Sequence, residues 1–478
     1  MKSARKAQRR HANKSQKRHA RKAKKARAAN RARRSPRGKL KRAIRLLLPD
    51  GIFADLAKHG NTDWSLGVLS LVALFWALSG ETTLGERFIM ASEVAAHWFP
   101  GEFIATSYRG FMNALVTHNK VLVNVISTRL RTRMLELEDD RGKIAGLIPF
   151  VVDGSQVGAP WTKANEETLG KKGRKPQGAK CQKKETDLRP QLTLTLLWHM
   201  NLGLPWAWKH GGLSEGERTQ FRDLLDQLPQ AALIVADAGF VGYLLWQTIL
   251  NGGRHFLIRV GANVELLKEL VPGCDYERDG ERVWLWPEGQ RQKGAPPLAL
   301  RLIRVQKGKQ VWYLVTSLLD PSQLSEALAS QLYTRRWGVE YCFRTLKQTL
   351  EKSKMRSYTP RCAGCELDWS LLSLWLVGLL SKQELLAQKI DPEQYSPAAA
   401  RRLIRRELRY QAVGEERLDV SEFQSAVKDD YHRTSKKKAR HDQRKKHDPA
   451  PRAPKITKAS RLQQQAAKAL MQSQTRAA

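Results

Sequence analysis

The rhythm of apolar positions changes along the chain, and each change marks a region. Between residues 46 and 145 apolar side chains recur three and four apart, through Leu66, Leu69, Val72 and Leu74 and again from Phe103 to Leu135. That spacing predicts amphipathic helices. A charged segment at 136–141 closes the helical part. IPFVV at 148–152 is a short continuous apolar run and reads as a buried strand ending at Asp153. Residues 170–184 (GKKGRKPQGAKCQKK) have no period and read as a mobile basic loop. LTLTLLW at 192–198 is strand-like, and SEGE at 214–217 offers a capping-box helix start before Phe221, Leu224, Leu225 and Leu228. LIVA at 233–236 is a second buried strand, ending at Asp237; a helix at 243–250 and a strand at 255–260 follow.

Strands alternating with helices predict an α/β sheet. Residues 261–318 break that alternation with β-like runs at 283–286, 298–305 and 311–315 between Gly/Pro turns, so they read as a β-rich insertion. One long amphipathic helix is expected over about 321–354, and a last helical region over 361–427. There Ser396-Pro397 is a good N-cap and first-turn pair. On the helix it starts, Arg401, Arg402, Arg405, Arg406 and Arg409 share one face, which suits either solvent or phosphate. No segment reads as membrane-spanning: the longest uncharged run, 64–80, has 17 residues and acidic flanks, where about 20 are needed. It reads as a core helix, as does 369–381. No internal repeat is visible.

Charge adds two arms. Of 478 residues, 84 are Lys or Arg and 46 Asp or Glu, a net +38. Residues 1–45 hold 21 cations and no acid; 428–478 hold 15 cations and four acids. The body between them is nearly balanced, 48 against 42. Two such arms are expected to be disordered when free and to seek a polyanion, because each neutralised phosphate releases counterions. The first arm is too Lys-rich and too poor in large apolar residues for a mitochondrial presequence. Five cysteines, an odd number, and no secretory leader argue against a disulfide scaffold and for a reducing compartment. Cys362 and Cys365 have ligand spacing but no second pair to complete a zinc site. His199, His210 and His255 are scattered and read as packed or solvated.

Three carboxylates carry the candidate chemistry. Asp153 and Asp237 end apolar strands, and ligand sites favour that edge of a sheet. Glu340 lies in YTRRWGVEYCFRTLK with Tyr333, Arg336 and Lys347. At about 100° per residue these four point to roughly 0°, 300°, 340° and 320°, one helix face. A carboxylate, two cations and a phenol there suit phosphate handling, though an ordinary solvated face with an Arg336–Glu340 pair has the same pattern. Three carboxylates can hold two Mg²⁺ ions, which prefer hard oxygen donors.

The spacing Tyr-x2-Arg-x3-Glu-x6-Lys is the YREK signature, and with VVDGS, ADAGF, Trp337, Phe343 and Leu346 the segment 150–360 resembles DDE-type insertion-sequence transposases of the YREK-bearing class, the insertion-sequence-four family. The resemblance implies an α/β, RNase H-like catalytic core over 146–360, with a β-rich insertion at about 261–318. It would be flanked by a helical, DNA-binding 46–145, a helical 361–427 and the disordered basic tails 1–45 and 428–478. It implies Asp153, Asp237 and Glu340 as the catalytic, metal-binding triad, with two Mg²⁺ ions or Mn²⁺ in their place. Tyr333, Arg336 and Lys347 would hold DNA near the reacting phosphate, and Trp312 would stack on a displaced base; apart from the resemblance, Arg344 and, on the Arg-rich helix face, Arg401 and Arg405 are candidate DNA contacts. The implied activity is cleavage at transposon ends and 3′-OH joining to target DNA, within a dimeric synapse, in the cytoplasm and at the nucleoid of a prokaryotic host, with no membrane partner. Gly338 departs from helix preference, at a cost of about 1 kcal/mol against Ala; close approach of another backbone would explain it. A catalytically silent, transposase-derived DNA-binding protein, or an RNase H-like nuclease without joining, would share these features.

Overall fold

The computed structural model describes residues 36–56, 63–138, 140–170, 189–271, 280–307, 310–428 and 453–477. The first basic arm to residue 35 and most of the 170–184 loop lie outside them. The chain forms two compact units, one of residues 1–104 with 377–428 and the other of 105–376 with 429–478. The expected boundary at 145 therefore moves: the long helix Tyr108–Glu136 belongs with the sheet, not with the N-terminal helices.

The smaller unit is helical, as its period predicts. Its helices are α1 (Leu40–Leu47), α2 (Leu66–Leu78), α3 (Leu84–Trp98) and, from the far end of the chain, α12 (Pro397–Ala412). Helix α2 is apolar all round and buried, which fits a core helix. Thr83 and Glu86 form a capping box for α3. Ser396 caps α12 by accepting from the Ala399 N–H at 3.4 Å, with Pro397 in the first turn.

The larger unit holds α4 (Tyr108–Glu136), β1 (Ile148–Gly158), α5 (Lys163–Leu169), β2 (Gln191–His199), β3 (Leu204–Gly211), α6 (Glu217–Leu224), β4 (Ala232–Ala236), α7 (Tyr243–Asn251) and β5 (His255–Val260). The insertion supplies β6 (Glu265–Lys268), β7 (Glu281–Leu285), the single turn α8 (Glu288–Arg291), β8 (Leu298–Lys307) and β9 (Gln310–Thr316). Helices α9 (Glu326–Arg335) and α10 (Gly338–Arg344) follow, then α11 (Pro360–Ala387), whose residues from 377 belong to the smaller unit; β10 (Lys455–Lys458) and α13 (Arg461–Ala477) are the last described elements.

Among the described residues the ten strands form one sheet, in the order β10-β6-β7-β8-β9-β5-β4-β1-β2-β3. Strands β1, β4 and β5 are parallel, and β2 and β3 run antiparallel beside β1. The insertion is thus no separate lobe: β9 pairs antiparallel with β5 and continues the sheet. Side chains alternate between faces. Val151, Leu233, Val235, Leu257 and Leu314 pack with Leu332, Val339 and Leu371 of α9 to α11 and with Leu346 just after α10. On the opposite face Phe150 meets Trp206, and Trp246 of α7 meets Phe256.

Several expectations fail here. Strand β1 does not stop at Asp153 but runs on to Gly158, because β2 keeps pairing with it to that point. The helix expected over 321–354 is broken after Arg335, and a π turn, Thr345–Thr349, succeeds α10. No capping box starts α6; its N-cap is Gly216, without a side-chain cap. The terminal tail is not wholly disordered, because β10 pairs in parallel with the edge strand β6 and Lys455 pairs with Glu265 at 2.9 Å. An open edge strand recruits such a segment even when its sequence is basic. Helix α11 is long and apolar enough to cross a membrane by composition, but its apolar window is wholly buried.

Candidate active site

Register brings the two aspartates together. Strands β1 and β4 pair in parallel as far as Val151 opposite Val235. Asp153 and Asp237 each lie two residues beyond that last pair, so they stand at the same level of neighbouring strands and on the same face. Asp237 caps the turn after β4, its Oδ1 accepting from the Gly239 N–H at 2.8 Å. In Asp153, Oδ1 accepts from the Gly154 N–H at 2.9 Å and Oδ2 takes an ion pair from Arg336 Nη1 at 3.1 Å. Burial lifts the Asp153 carboxyl above its ordinary range; Arg336 and the Gly154 N–H pull it down, and the charges of Asp237 and Glu340 push it up again. Asp237 and Glu340 are therefore within electrostatic reach of Asp153.

The break between α9 and α10 decides how the signature residues sit. Arg336 occupies that break, 5% exposed, with its guanidinium 5.4 Å from the Tyr333 ring and 4.8 Å from the Trp337 ring. Glu340 is in the first turn of α10, exposed. Lys347 lies in the π turn, where its Nζ donates to Ser155 Oγ at 2.7 Å and burial lowers its pKa. Tyr333 is buried, and burial raises its phenol. Trp312 stands edge-on to the Tyr333 ring at 5.3 Å, half-buried at the rim of the core. Arg344 is exposed on α10, with its guanidinium 4.8 Å from the Tyr341 ring.

Arg336 and Lys347 thus reach back to the strand that carries Asp153, a convergence that spacing on one straight helix did not contain. Gly338 is explained by side chain rather than backbone: a Cβ there would overlap the ring of Trp198. Arg401 and Arg405 belong to the other unit. Arg405 donates to the carbonyls of Leu78 (3.2 Å) and Ser79 (2.9 Å), so it closes the end of α2 rather than facing a phosphate. The histidines are packed in polar pairs: His199 with Glu138 at 3.1 Å, His210 with Asp368 at 3.0 Å and His255 with Ser317 at 3.1 Å. Cys362 and Cys365 are free thiols.

Among the described residues no three His, Cys, Asp or Glu side chains are gathered closely enough to hold an ion as they stand. The donor set nevertheless suits a divalent ion: carboxylates within β1, directly after β4 and on one helix, whose mutual repulsion is offset in part by Arg336. Two residues that pattern did not flag flank this site. Ser155 anchors Lys347, and Glu217 at the start of α6 lays its carboxyl group against Gly154, where any Cβ would collide with it. The glycine directly after Asp153 is the trace that Glu217 leaves in the sequence.

Residues 146–376 match the family profile described as transposase DDE domain. The transposase InsG of insertion sequence element IS4, from Escherichia coli K12, is 28% identical over 200 residues, 40% of this chain and 44% of that protein. The chain therefore aligns with less than half of that relative. A cryo-EM structure of a piggyBac transposase synaptic complex with hairpin DNA overlays 82% of this chain and 86% of that one, at a TM-score of 0.36 and 12% identity. A likeness that distant carries no further conclusion.

Proposed function

We propose, for a chain that belongs to the DDE transposases of insertion sequences, that it cuts DNA at the ends of a mobile element and joins the freed 3′-OH to target DNA. Asp153 and Asp237 in register at one strand level, with Glu340 in electrostatic reach, carry this reading. The order β3-β2-β1-β4-β5, antiparallel and then parallel, is consistent with an RNase H-like core.

Asp153, Asp237 and Glu340 are the residues that would hold Mg²⁺, or Mn²⁺ in its place. When bound, such an ion supplies Lewis-acid stabilisation of the charge that builds on the phosphate oxygens. The chain's own residues orient and neutralise. Arg336 can fork onto a non-bridging phosphate oxygen once it leaves Asp153, and Lys347 adds a point charge beside Ser155. In the first step a water oxygen attacks phosphorus and the bond to the 3′ oxygen breaks, leaving a 3′-OH and a 5′-phosphate. In the second, that 3′-OH attacks a target phosphodiester and expels its 3′ oxygen. Both steps need in-line placement more than covalent help from the protein, which is the work of fixed cations. DNA is the partner, and a homodimer bridging two ends would keep both ends available for joining.

The test is a cutting and joining assay with Mg²⁺ on a duplex carrying the element's own ends. Asp237→Asn is expected to lower cutting by about three orders of magnitude, as loss of one key charge-stabilising group does elsewhere, and to leave DNA binding in EDTA intact. Cutting that survives Asp237→Asn at wild-type rate ends the proposal. Cut products without joined ones would reduce it to a nuclease.

A further inference from the structure

On the sheet face opposite α9 to α11, a cleft of about 690 Å³ opens between α6, the turn after Asp237, the start of α7 and the insertion turn at Pro287–Gln290. None of the signature residues lines it. Arg218 and Arg222, one turn apart on α6, share the helix face that borders it. Arg218 donates to the Val241 carbonyl at 3.0 Å, which steadies its guanidinium at the rim. Arg222 is exposed. Glycine forms much of the rest, at 216, 239, 242 and 289. Gly216 and Gly242 begin α6 and α7 without side-chain caps, so first-turn N–H groups of both helices border the same space.

The cleft reaches the same edge of the sheet as the candidate acids, from the other face. Gly239 follows Asp237 by two residues, and Glu217, also in the lining, lies against Gly154 beside Asp153. Glu217 repels a phosphate at that end, whereas Arg218 and Arg222 attract one at the other. The volume suits one nucleotide unit, and glycine walls let a sugar-phosphate backbone come close.

We infer that this cleft is a non-reacting contact for a DNA strand, holding a phosphate of the same strand a short distance from the one attacked. The inference rests on the DNA-processing reading above and adds to it a binding surface outside the signature residues. The strand is either the element's own end or the target, and the shared chemistry is a phosphodiester backbone gripped by two guanidinium groups.

The full-length protein is titrated in EDTA with a short fluorescein-labelled single strand at several salt concentrations. Arg222→Ala and the double variant Arg218→Ala/Arg222→Ala are expected to lower the slope of log K against log[salt] by about 0.7 for each lost contact. Gly289→Glu, where a Cβ meets nothing within 4 Å, places a negative charge in the cleft without disturbing packing and is expected to weaken binding. A strand carrying 5-iodouracil should photo-crosslink to peptides containing 216–222 or 287–290. Unchanged slopes and affinities in folded Arg222→Ala and Gly289→Glu, with crosslinks elsewhere, overturn the inference. The two sources separate in the cutting assay. Slower end cutting in Arg222→Ala assigns the cleft to the element strand; normal cutting with poorer joining assigns it to the target. A protein that shows the Arg222-dependent slope but never cuts DNA retains the cleft and loses the transposase reading. One that cuts and joins with an unaltered slope retains the reading and loses the cleft.

Discussion

At the residue scale, Arg336 holds Asp153 in the position that a divalent ion would compete for. Its guanidinium is buried between two aromatic rings and ion-paired at 3.1 Å, so in the DNA-free protein it neutralises a carboxylate that burial and two like charges disfavour. Arg336→Ala is expected to tighten Mn²⁺ binding to the DNA-free protein by about tenfold, or 1.4 kcal/mol, followed as loss of the free-ion EPR signal, while DNA binding weakens. If the Mn²⁺ titration is the same in both proteins, the ion pair does not restrain metal uptake. Gly338 is a second point where one atom matters. Gly338→Ala pushes a methyl group into Trp198 and is expected to cost about 1–3 kcal/mol in urea unfolding by overpacking. Pairing it with Trp198→Leu should recover part of that loss; no recovery would assign the cost to something other than the ring.

At the scale of elements, the sequence shows which residues recur at helical spacing but not where the helix bends. The turn from α9 to α10 falls at Arg336, whose side chain reaches Asp153 on β1, and in the π turn Lys347 donates to Ser155. The segment after it is tied down by a buried ion pair, Lys352 Nζ to Glu366 Oε1 at 2.8 Å, with the backbone N–H groups of Arg356 and Ser357 donating to Oε2. Burial would raise Glu366, but Lys352 and these donors hold it below the ordinary carboxylate range. A depressed folded pKa contributes stability that is complete above the unfolded value, about 4.3, and is lost as pH falls through the folded one. Lys352→Met strands a buried carboxylate and is expected to cost about 3–5 kcal/mol at neutral pH, with a smaller difference from wild type near the acid unfolding transition. Urea titrations at both pH values check this; an equal loss at both would mean that Lys352 acts through packing alone.

At the scale of the molecule, charge and fold are separate matters. Residues 1–45 carry 21 cations, and their deletion is expected to weaken DNA binding and flatten its salt dependence, because fewer counterions are released. A slope unchanged by the deletion would deny the arm that role. The other basic end behaves differently: its last described residues extend the sheet at β6 and pair Lys458 with Glu269. No periodicity announces β10, since its partner is an edge strand 190 positions earlier, at Glu265 to Lys268. The division into units escapes the sequence for a similar reason. Residues 377–428 fold with the N-terminal helices, and nothing in either segment alone names the other.

What the chain order already determines is local: apolar runs that lead into aspartates, a helical period around Glu340 and a β-textured insertion, all within the span 146–376 that matches a transposase DDE domain. Such features depend on neighbours a few residues apart, and the amino acids encode them directly. What only the folded chain decides is the meeting of distant segments. The parallel register aligns Asp153 with Asp237, the helix break points Arg336 at Asp153, and alternation along β1 sends Gly154 to the opposite face, against Glu217. Each of those contacts is set by packing and pairing between elements far apart in sequence, which no window along the chain contains.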